Sequence, residues 1–239
     1  MQNKKGSLYL IPSLLGESQP LTVLPLSVKA AIEKIDYYIV EHEKDARRFI
    51  KSIASHKKQS KLHFEQINKF TKEEEIPHML NPCLRGLDMG VISDAGCPGI
   101  ADPGARIVHL AHQHGIEVKP LVGPSSILLG MMSSGLNGQN FAFNGYLPID
   151  NKERREALKQ LEKLSKANDQ TQLFIETPYR NNQMLESILS ALHPMTQLCI
   201  ACDLTLETQF IKTTSVSEWA KIKVDLQKRP TIFIIQAYY

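Results

Sequence analysis

Residues 90–104 read GVISDAGCPGIADPG, and they say more about architecture than any other part of the chain. GVIS is a short run of small and apolar residues ending at a turn, the pattern of a strand buried on both faces. It delivers Asp94 to its carboxyl end, where open α/β sheets bind their ligands. Ala95 and Gly96 keep the backbone low, so that a flat or bulky ligand can approach. Pro98, Gly99 and Pro103 return the chain into a helix, DPGARIVHLAHQHG, with Asp102 expected as N-cap, Pro103 at the first helical position and Gly115 just past the end. The alternative is a tight strand-to-helix turn with its own aspartate cap and no ligand. The pattern is neither G-x-G-x-x-G nor a Walker loop, which removes support for nicotinamide and P-loop enzymes.

Outward from this stretch, strand and helix patterns alternate almost from end to end. Strands are expected at SLYLIPS (7–13), YYIVEH (37–42), KLHFEQI (61–67) and IEVKPLV (116–122), with amphipathic helices at 25–35 and 43–56 between them. GPSSILLGMMSSG (123–135) reads as a helix opened by Pro124 and Ser125 and closed by Gly135. FAFNGYLP, a basic helix from Lys152 to Lys166, QLFIET, a helix from Pro178, QLCIACDL, TQFIKTT, SVSEWAKIKVDL and PTIFIIQAY complete the chain. Such alternation predicts an α/β fold with mainly parallel pairing. At 239 residues it fits two α/β domains, 1–119 and 120–239, divided where a strand runs into Gly123-Pro124.

Composition is that of a globular protein, 42% hydrophobic and 22% charged. The N-terminal apolar run is broken by Pro12 and Ser13, and no stretch reaches membrane-spanning length, so the protein is expected in the cytoplasm with no membrane partner. Cys199 and Cys202 form a C-x-x-C on a buried strand, where residues three apart face opposite ways. With no second pair they read as buried small hydrophobes rather than metal ligands. His109 and His112 lie one helical turn apart without a third ligand nearby and read as surface positions, so no metal site is expected. Net charge is +3, with local clusters at Lys44, Arg47, Arg48 and Lys51, at Lys57, Lys58 and Lys61, and at Lys152, Arg154, Arg155 and Lys159. Each reads first as a solvated face; together they permit a nucleic acid partner.

Two further segments offer polar groups at strand ends. Ser125 and Ser126 follow the Gly123-Pro124 turn at a helix start, where hydroxyls and unpaired N–H groups bind a carboxylate or hydroxyl, or simply cap the helix. Glu176 and Thr177 end a strand, and Arg180 follows on the next helical turn, as cleft residues or as an ordinary ion pair.

In this order and spacing the segments resemble the tetrapyrrole methylase superfamily, the class III methyltransferases, and most closely its branch of small-subunit ribosomal RNA ribose 2′-O-methyltransferases. The family loop S-D-A-G-x-P-x-x-x-D-P-G is met by Ser93 to Gly96, Pro98 and Asp102 to Gly104. Its G-P turn is met by Gly123 and Pro124, its G-[FY]-L-P by Gly145 to Pro148, and its E-[ST]-x-x-R by Glu176, Thr177 and Arg180. The resemblance implies two α/β domains with S-adenosylmethionine between them, a homodimer, and RNA of the ribosomal small subunit as partner. Carried over residue by residue, it implies cofactor contacts at Asp94, Ala95, Gly96, Ile100, Ser125 and Ser126.

The departures from the family fall largely on the acceptor side. P-T-P-I-G-N-L becomes Pro12 to Ser18 with only Pro12 and Gly16 kept, and E-D-T-R becomes Glu41, His42, Glu43 and Lys44. E-L-T-K becomes Asp203 to Leu206, and K-G-E becomes Lys228, Arg229 and Pro230. Glu41 and Glu17 are the candidates for acceptor-side work as base or orienting carboxylate, and His42 is a further candidate base. These departures leave room for a tetrapyrrole or other small-molecule acceptor, or for a degenerate paralogue that binds cofactor or RNA without catalysis. An unrelated doubly wound phosphate-ester hydrolase would need the ordered motifs to be accidental.

Overall fold

Side chains alternate across a strand, so a strand that is apolar throughout needs cover on both faces. YYIV shows this directly: Tyr38 and Val40 enter one apolar cluster, and Ile39 enters another on the opposite face. The computed structural model describes residues 4–68 and 70–238. Two compact units divide the chain, one running up to Ser125 and one from Ser126.

In the first unit the strands are β1 (Ser7–Ile11), β2 (Tyr37–Val40), β3 (His63–Gln66), β4 (Met89–Ile92) and β5 (Glu117–Pro120). They form one sheet in the order β3-β2-β4-β1-β5. Every pairing is parallel, with Leu8 opposite Met89 and Tyr38 opposite Gly90. All five carboxyl ends therefore emerge along one edge. The helices are α1 (Pro20–Val23), α2 (Leu26–Lys34), α3 (Glu43–Ile53), α4 (Ile76–Met79), α5 (Asn81–Leu84) and α6 (Gly104–Gln113). Val28 and Ile32 of α2 and Ile50 of α3 pack with Ile11, Tyr38 and Ile92 on one face. Met79, Cys83 and Ile107 pack with Leu8, Ile39 and Val91 on the other.

The carboxyl end of α2 is closed from a distance. Tyr38 Oη donates to the carbonyls of Ile35 (2.6 Å) and Ile32 (3.1 Å). Lys57 Nζ donates to Ile32 O (2.7 Å), Glu33 O and Ile35 O and pairs with Asp36 at 2.9 Å. Lys57, read from the sequence as part of a solvated basic face, is consumed as a helix cap, with its side chain only 8% exposed.

The second unit holds β6 (Phe141–Tyr146), β7 (Thr171–Ile175), β8 (Gln197–Cys202), β9 (Phe210–Ser215) and β10 (Thr231–Gln236), in the order β6-β7-β10-β8-β9. Its helices are α7 (Ser126–Ser134), α8 (Asn151–Asn168), α9 (Asn181–Ala191) and α10 (Val216–Trp219). Among the described residues only β6 and β7 pair in parallel here; the β7–β10, β10–β8 and β8–β9 pairs are antiparallel. The expectation of mainly parallel pairing thus holds for the first sheet and fails for the second. The segment 203–209 between β8 and β9 is too short for a parallel crossover, which needs a dozen residues or more, so the chain turns back as a hairpin. One face packs Leu158, Phe174, Ile188, Ile200, Phe233 and the fully buried Trp219, whose Nε1 donates to Leu198 O at 2.7 Å. On the other face α7 comes close enough that a Cβ on Gly130 would sit 3.3 Å from Ile234.

Cys199 and Cys202 are free and buried on β8, and only Cys202 belongs to the Trp219 cluster, consistent with opposite faces. Burial pushes both thiols up. The basic helix α8 begins one residue earlier than expected, capped by Asp150, whose carboxylate accepts the N–H groups of Lys152 and Glu153. Its Arg154 is buried and bonded to Ser187 Oγ, Ile149 O and Asn151 Oδ1, so it ties α8 to α9 rather than facing solvent.

Candidate functional site

At the carboxyl edge of the first sheet, the loops after β1, β4 and β5 are pinned to one another. Ser13 N–H donates to Gly96 O (2.9 Å), and the Cys97 thiol to Pro124 O (3.4 Å). Gly123 lies directly on the Pro12 ring, where a Cβ would stand 2.2 Å from Pro12 Cγ. Gly96 has φ +73°, a conformation that disfavours any side chain, and it turns the chain after Ala95. Within the turn the buried Ser93 hydroxyl donates to Ala95 O and Gly96 O. Asp102 does not stand at the expected N-cap. The helix begins one residue later, at Gly104 with Pro103 in the cap position, and Asp102 Oδ1 accepts from the N–H groups of Gly99 (2.8 Å) and Gly104 (2.7 Å). Those two bonds tie the loop ends together. Helix α6 closes as read, with Gly115 beyond its end and Ile116 N–H returning to Ala111 O.

The edge carries a cleft of about 500 Å³. Its walls are the β1 loop from Ser13 to Ser18, the β4 end with Asp94 and Ala95, and α3 through Asp45, Arg48 and Phe49. Of the residues expected from the sequence, Glu17, His42, Asp94 and Ala95 meet in this cleft. Gly96 is buried beneath it, and Ile100 is exposed further along the same loop. Ser125 closes the first unit and Ser126 opens α7 in the second.

Sequence reading did not single out Ser13 or Ser18 as site residues. Their hydroxyls are buried in the cleft wall with no hydrogen-bond partner, a state that native structures avoid unless a ligand or water completes it. Their position just after β1, at the carboxyl edge, was the available signal.

Glu41 and His42 follow β2, and both reach the β4 loop. His42 Nδ1 lies 2.6 Å from Asp94 Oδ2, and Glu41 Oε1 accepts the Asp94 N–H at 3.2 Å. A carboxylate only accepts, so His42 carries its proton on Nδ1. The bond to Asp94, and then its charge, raise the His42 pKa. Burial raises that of Glu41, reinforced by the nearby Asp94 and Asp102. Burial likewise raises Asp102. A second cavity of about 610 Å³ adjoins this cluster, and His42 lines both spaces.

In the second unit, Glu176 is buried at the end of β7. Its Oε1 accepts from Arg180 Nη2 and from the Thr177 N–H, both at 2.6 Å. Burial alone would raise this carboxyl, but those two bonds outweigh it and hold it below its usual value. Asp203, with Arg229 Nε at 2.7 Å and the Thr208 hydroxyl at 2.9 Å, occupies the end of β8. Among the described residues no three His, Cys, Asp or Glu side chains are grouped to hold a metal ion.

A family model described as Tetrapyrrole (Corrin/Porphyrin) Methylases matches residues 8–220. The ribosomal RNA small subunit methyltransferase I of Vibrio cholerae serotype O1 is 27% identical over 234 residues, 97% of this chain and 77% of that protein. The protein of the same name from Escherichia coli O157:H7 is 27% identical over 239 residues, 99% of this chain and 79% of that one. Among solved structures, the methyltransferase CobJ aligns with a TM-score of 0.64 at 16% identity, over 97% of this chain and 94% of that one. The cobalt precorrin-4 methyltransferase CbiF aligns with a TM-score of 0.59 at 11% identity, over 96% and 94%. At such identities these structures speak for the fold, a mixed α/β arrangement with two sheets. With that family model matching residues 8–220, most of its length, the chain belongs to the tetrapyrrole methylase family.

Proposed function

We propose that this protein is an S-adenosylmethionine-dependent methyltransferase acting on ribosomal small-subunit RNA at a ribose 2′-hydroxyl, working as a cytoplasmic homodimer. The observation that carries the reading is the cleft closed by the pinned β1 and β4 loops, with Asp94 and Ala95 at its lip and two unpartnered serine hydroxyls in its wall. Its volume of about 500 Å³ suits a nucleoside-sized ligand. The Ser13 and Ser18 hydroxyls and the Asp94 carboxylate suit a ligand with amine, carboxylate and hydroxyl groups, so the residues present fit this cofactor. Asp94, Ala95, Gly96 and Ile100 of the β4 loop would hold it, and Ser125 and Ser126 are the further contacts that the family resemblance implies. When bound, the cofactor supplies an electrophilic methyl group on a sulfonium.

The chain's own contribution is positioning and charge. Glu41 and Glu17 remain the candidates to orient or deprotonate the acceptor, Glu41 being the carboxyl that burial biases toward holding a proton. RNA as acceptor draws on the names of the relatives described above and on exposed charge. Lys44, Lys51, Lys58 and Lys61, on α3 and the turn after it, are exposed and make no ion pair among the described residues. None of the described helices is long and apolar enough to cross a membrane.

Calorimetric titration with S-adenosylmethionine and S-adenosylhomocysteine tests the cofactor site. Wild type binds both, and Asp94→Ala binds at least tenfold more weakly; equal binding by the two proteins rejects the site. RNA affinity that falls steeply with salt supports the nucleic acid acceptor, because phosphate contacts release counterions. A salt-independent acceptor affinity speaks for a small molecule instead.

A further inference from the structure

We infer that the second cavity of the first unit seats the nucleoside to be methylated, with Phe70 as the platform for its base and His42 as the group that receives its hydroxyl proton. The inference rests on the RNA methyltransferase reading and goes beyond it by giving the acceptor a place.

The cavity, about 610 Å³, is walled by the end of β2 (Glu41, His42), the loop after β3 (Asn68, Phe70) and the loop before α6 (Ala101 to Pro103). It adjoins the cofactor cleft through His42, which lines both. A methyl donor and its acceptor need such adjacency. Phe70 is 80% exposed, and an aromatic face bordering a cavity is what an unstacked base rests on. Glu41 and Asp102 supply carboxylates to the same walls.

His42 has the arrangement of an oriented base. Nδ1–H donates to Asp94, which leaves the Nε2 lone pair without a partner among the described residues. As the acceptor oxygen takes the methyl group, its proton passes to Nε2. The electron pair of the broken carbon–sulfur bond stays with sulfur, so one positive charge is lost there and one appears on the imidazolium. Asp94 stabilises that charge, and the proton is then released to water. The groups around the ring are Asp94 from the β4 loop, Glu41 just after β2 and Asp45 from α3, with Glu17 and Arg48 lining the same cleft.

The test uses the full chain as wild type, Phe70→Ala, Phe70→Trp and His42→Gln. Three quantities are measured: methyl transfer to unmethylated small-subunit rRNA, S-adenosylhomocysteine affinity by calorimetry, and the titration of the His42 ring by NMR. Phe70→Ala is expected to raise KM for RNA about ten- to a hundredfold with cofactor affinity unchanged, and Phe70→Trp to restore it. His42→Gln is expected to lower kcat about a hundredfold and to abolish the acid limb of the pH profile, a limb that in wild type coincides with the NMR titration of the ring. An unchanged KM in Phe70→Ala, or an acid limb that survives in His42→Gln, overturns the inference while wild-type methylation of RNA leaves the functional reading standing. A wild type that binds cofactor but methylates no RNA overturns both.

Discussion

Replacing Gly123 by alanine tests how the edge of the first sheet is assembled. The new Cβ would lie 2.2 Å from Pro12 Cγ and 2.3 Å from Pro12 Cβ, where ordinary contact begins at 3.4 Å. Pro12 is a rigid, buried ring directly after β1 and cannot rotate aside, so the two loops must part by about 1.2 Å. That displacement carries Pro124 away from the Cys97 thiol, now 3.4 Å from its carbonyl. Overpacking of this kind costs about 1–3 kcal/mol. For a chain of this size the melting temperature should fall by roughly 2–10 °C. If about 1.4 kcal/mol of the strain falls on the ligand-bound arrangement, S-adenosylhomocysteine affinity drops about tenfold. Scanning calorimetry and titration calorimetry read the two effects. Gly138→Ala is the control, since nothing lies within 4 Å of its Cβ position. A Gly123→Ala protein that melts and binds like Gly138→Ala would refute the contact between the β1 and β5 loops.

Lys57→Met removes the donor that closes α2 and leaves the Ile32, Glu33 and Ile35 carbonyls short of it; a loss of about 2 kcal/mol is expected, read as a lower urea midpoint with unchanged slope. Arg180→Met removes the donor that holds Glu176 below its usual carboxyl range. Because the folded pKa is depressed, the unfolded chain binds more protons as pH falls, so the stabilisation is present above about 4.5 and is lost as pH drops through the folded value. The variant should therefore melt below wild type at pH 7, with the gap closing in melts run below about pH 4.5; a gap independent of pH would refute the assignment.

The strands of the first unit and its longer helices α2, α3 and α6 are legible because each signal is local, whereas the four-residue helices α1, α4 and α5 are too short to show a period. GVIS is small and apolar up to Ser93, YYIV alternates between two buried faces, and Gly115 ends its helix with the left-handed residue that glycine supplies. Strand direction in the second unit is not legible from apolar runs, since TIFII and QLCIAC would read alike in either orientation; the short 203–209 connection was the only sign. Contacts between distant residues escape local reading altogether. Asp94 is visible as an exposed carboxylate after a buried strand, but its bond to His42 joins residues 52 apart in sequence. Lys57 looks like one charge in a basic cluster because the carbonyls it caps lie 22 to 25 residues upstream. Arg154 looks solvated because nothing near it in sequence announces Ser187.

The strand order of the second sheet has a consequence for synthesis on the ribosome. β10 comes after every other strand in the chain, yet it stands in the middle, between β7 and β8. Until residues 231–236 emerge, β6-β7 and β8-β9 are separate pairs with open edges, and no intermediate length of nascent chain can complete the sheet. The first unit, finished by Ser125, has all five of its strands long before that point. Folding during translation should thus be stepwise, with the first unit protected early and the second closing in one late event. A premature stop before β10 would not trim an edge; it would leave a parallel β6-β7 pair and a β8-β9 hairpin, each with an open edge prone to pair with other chains.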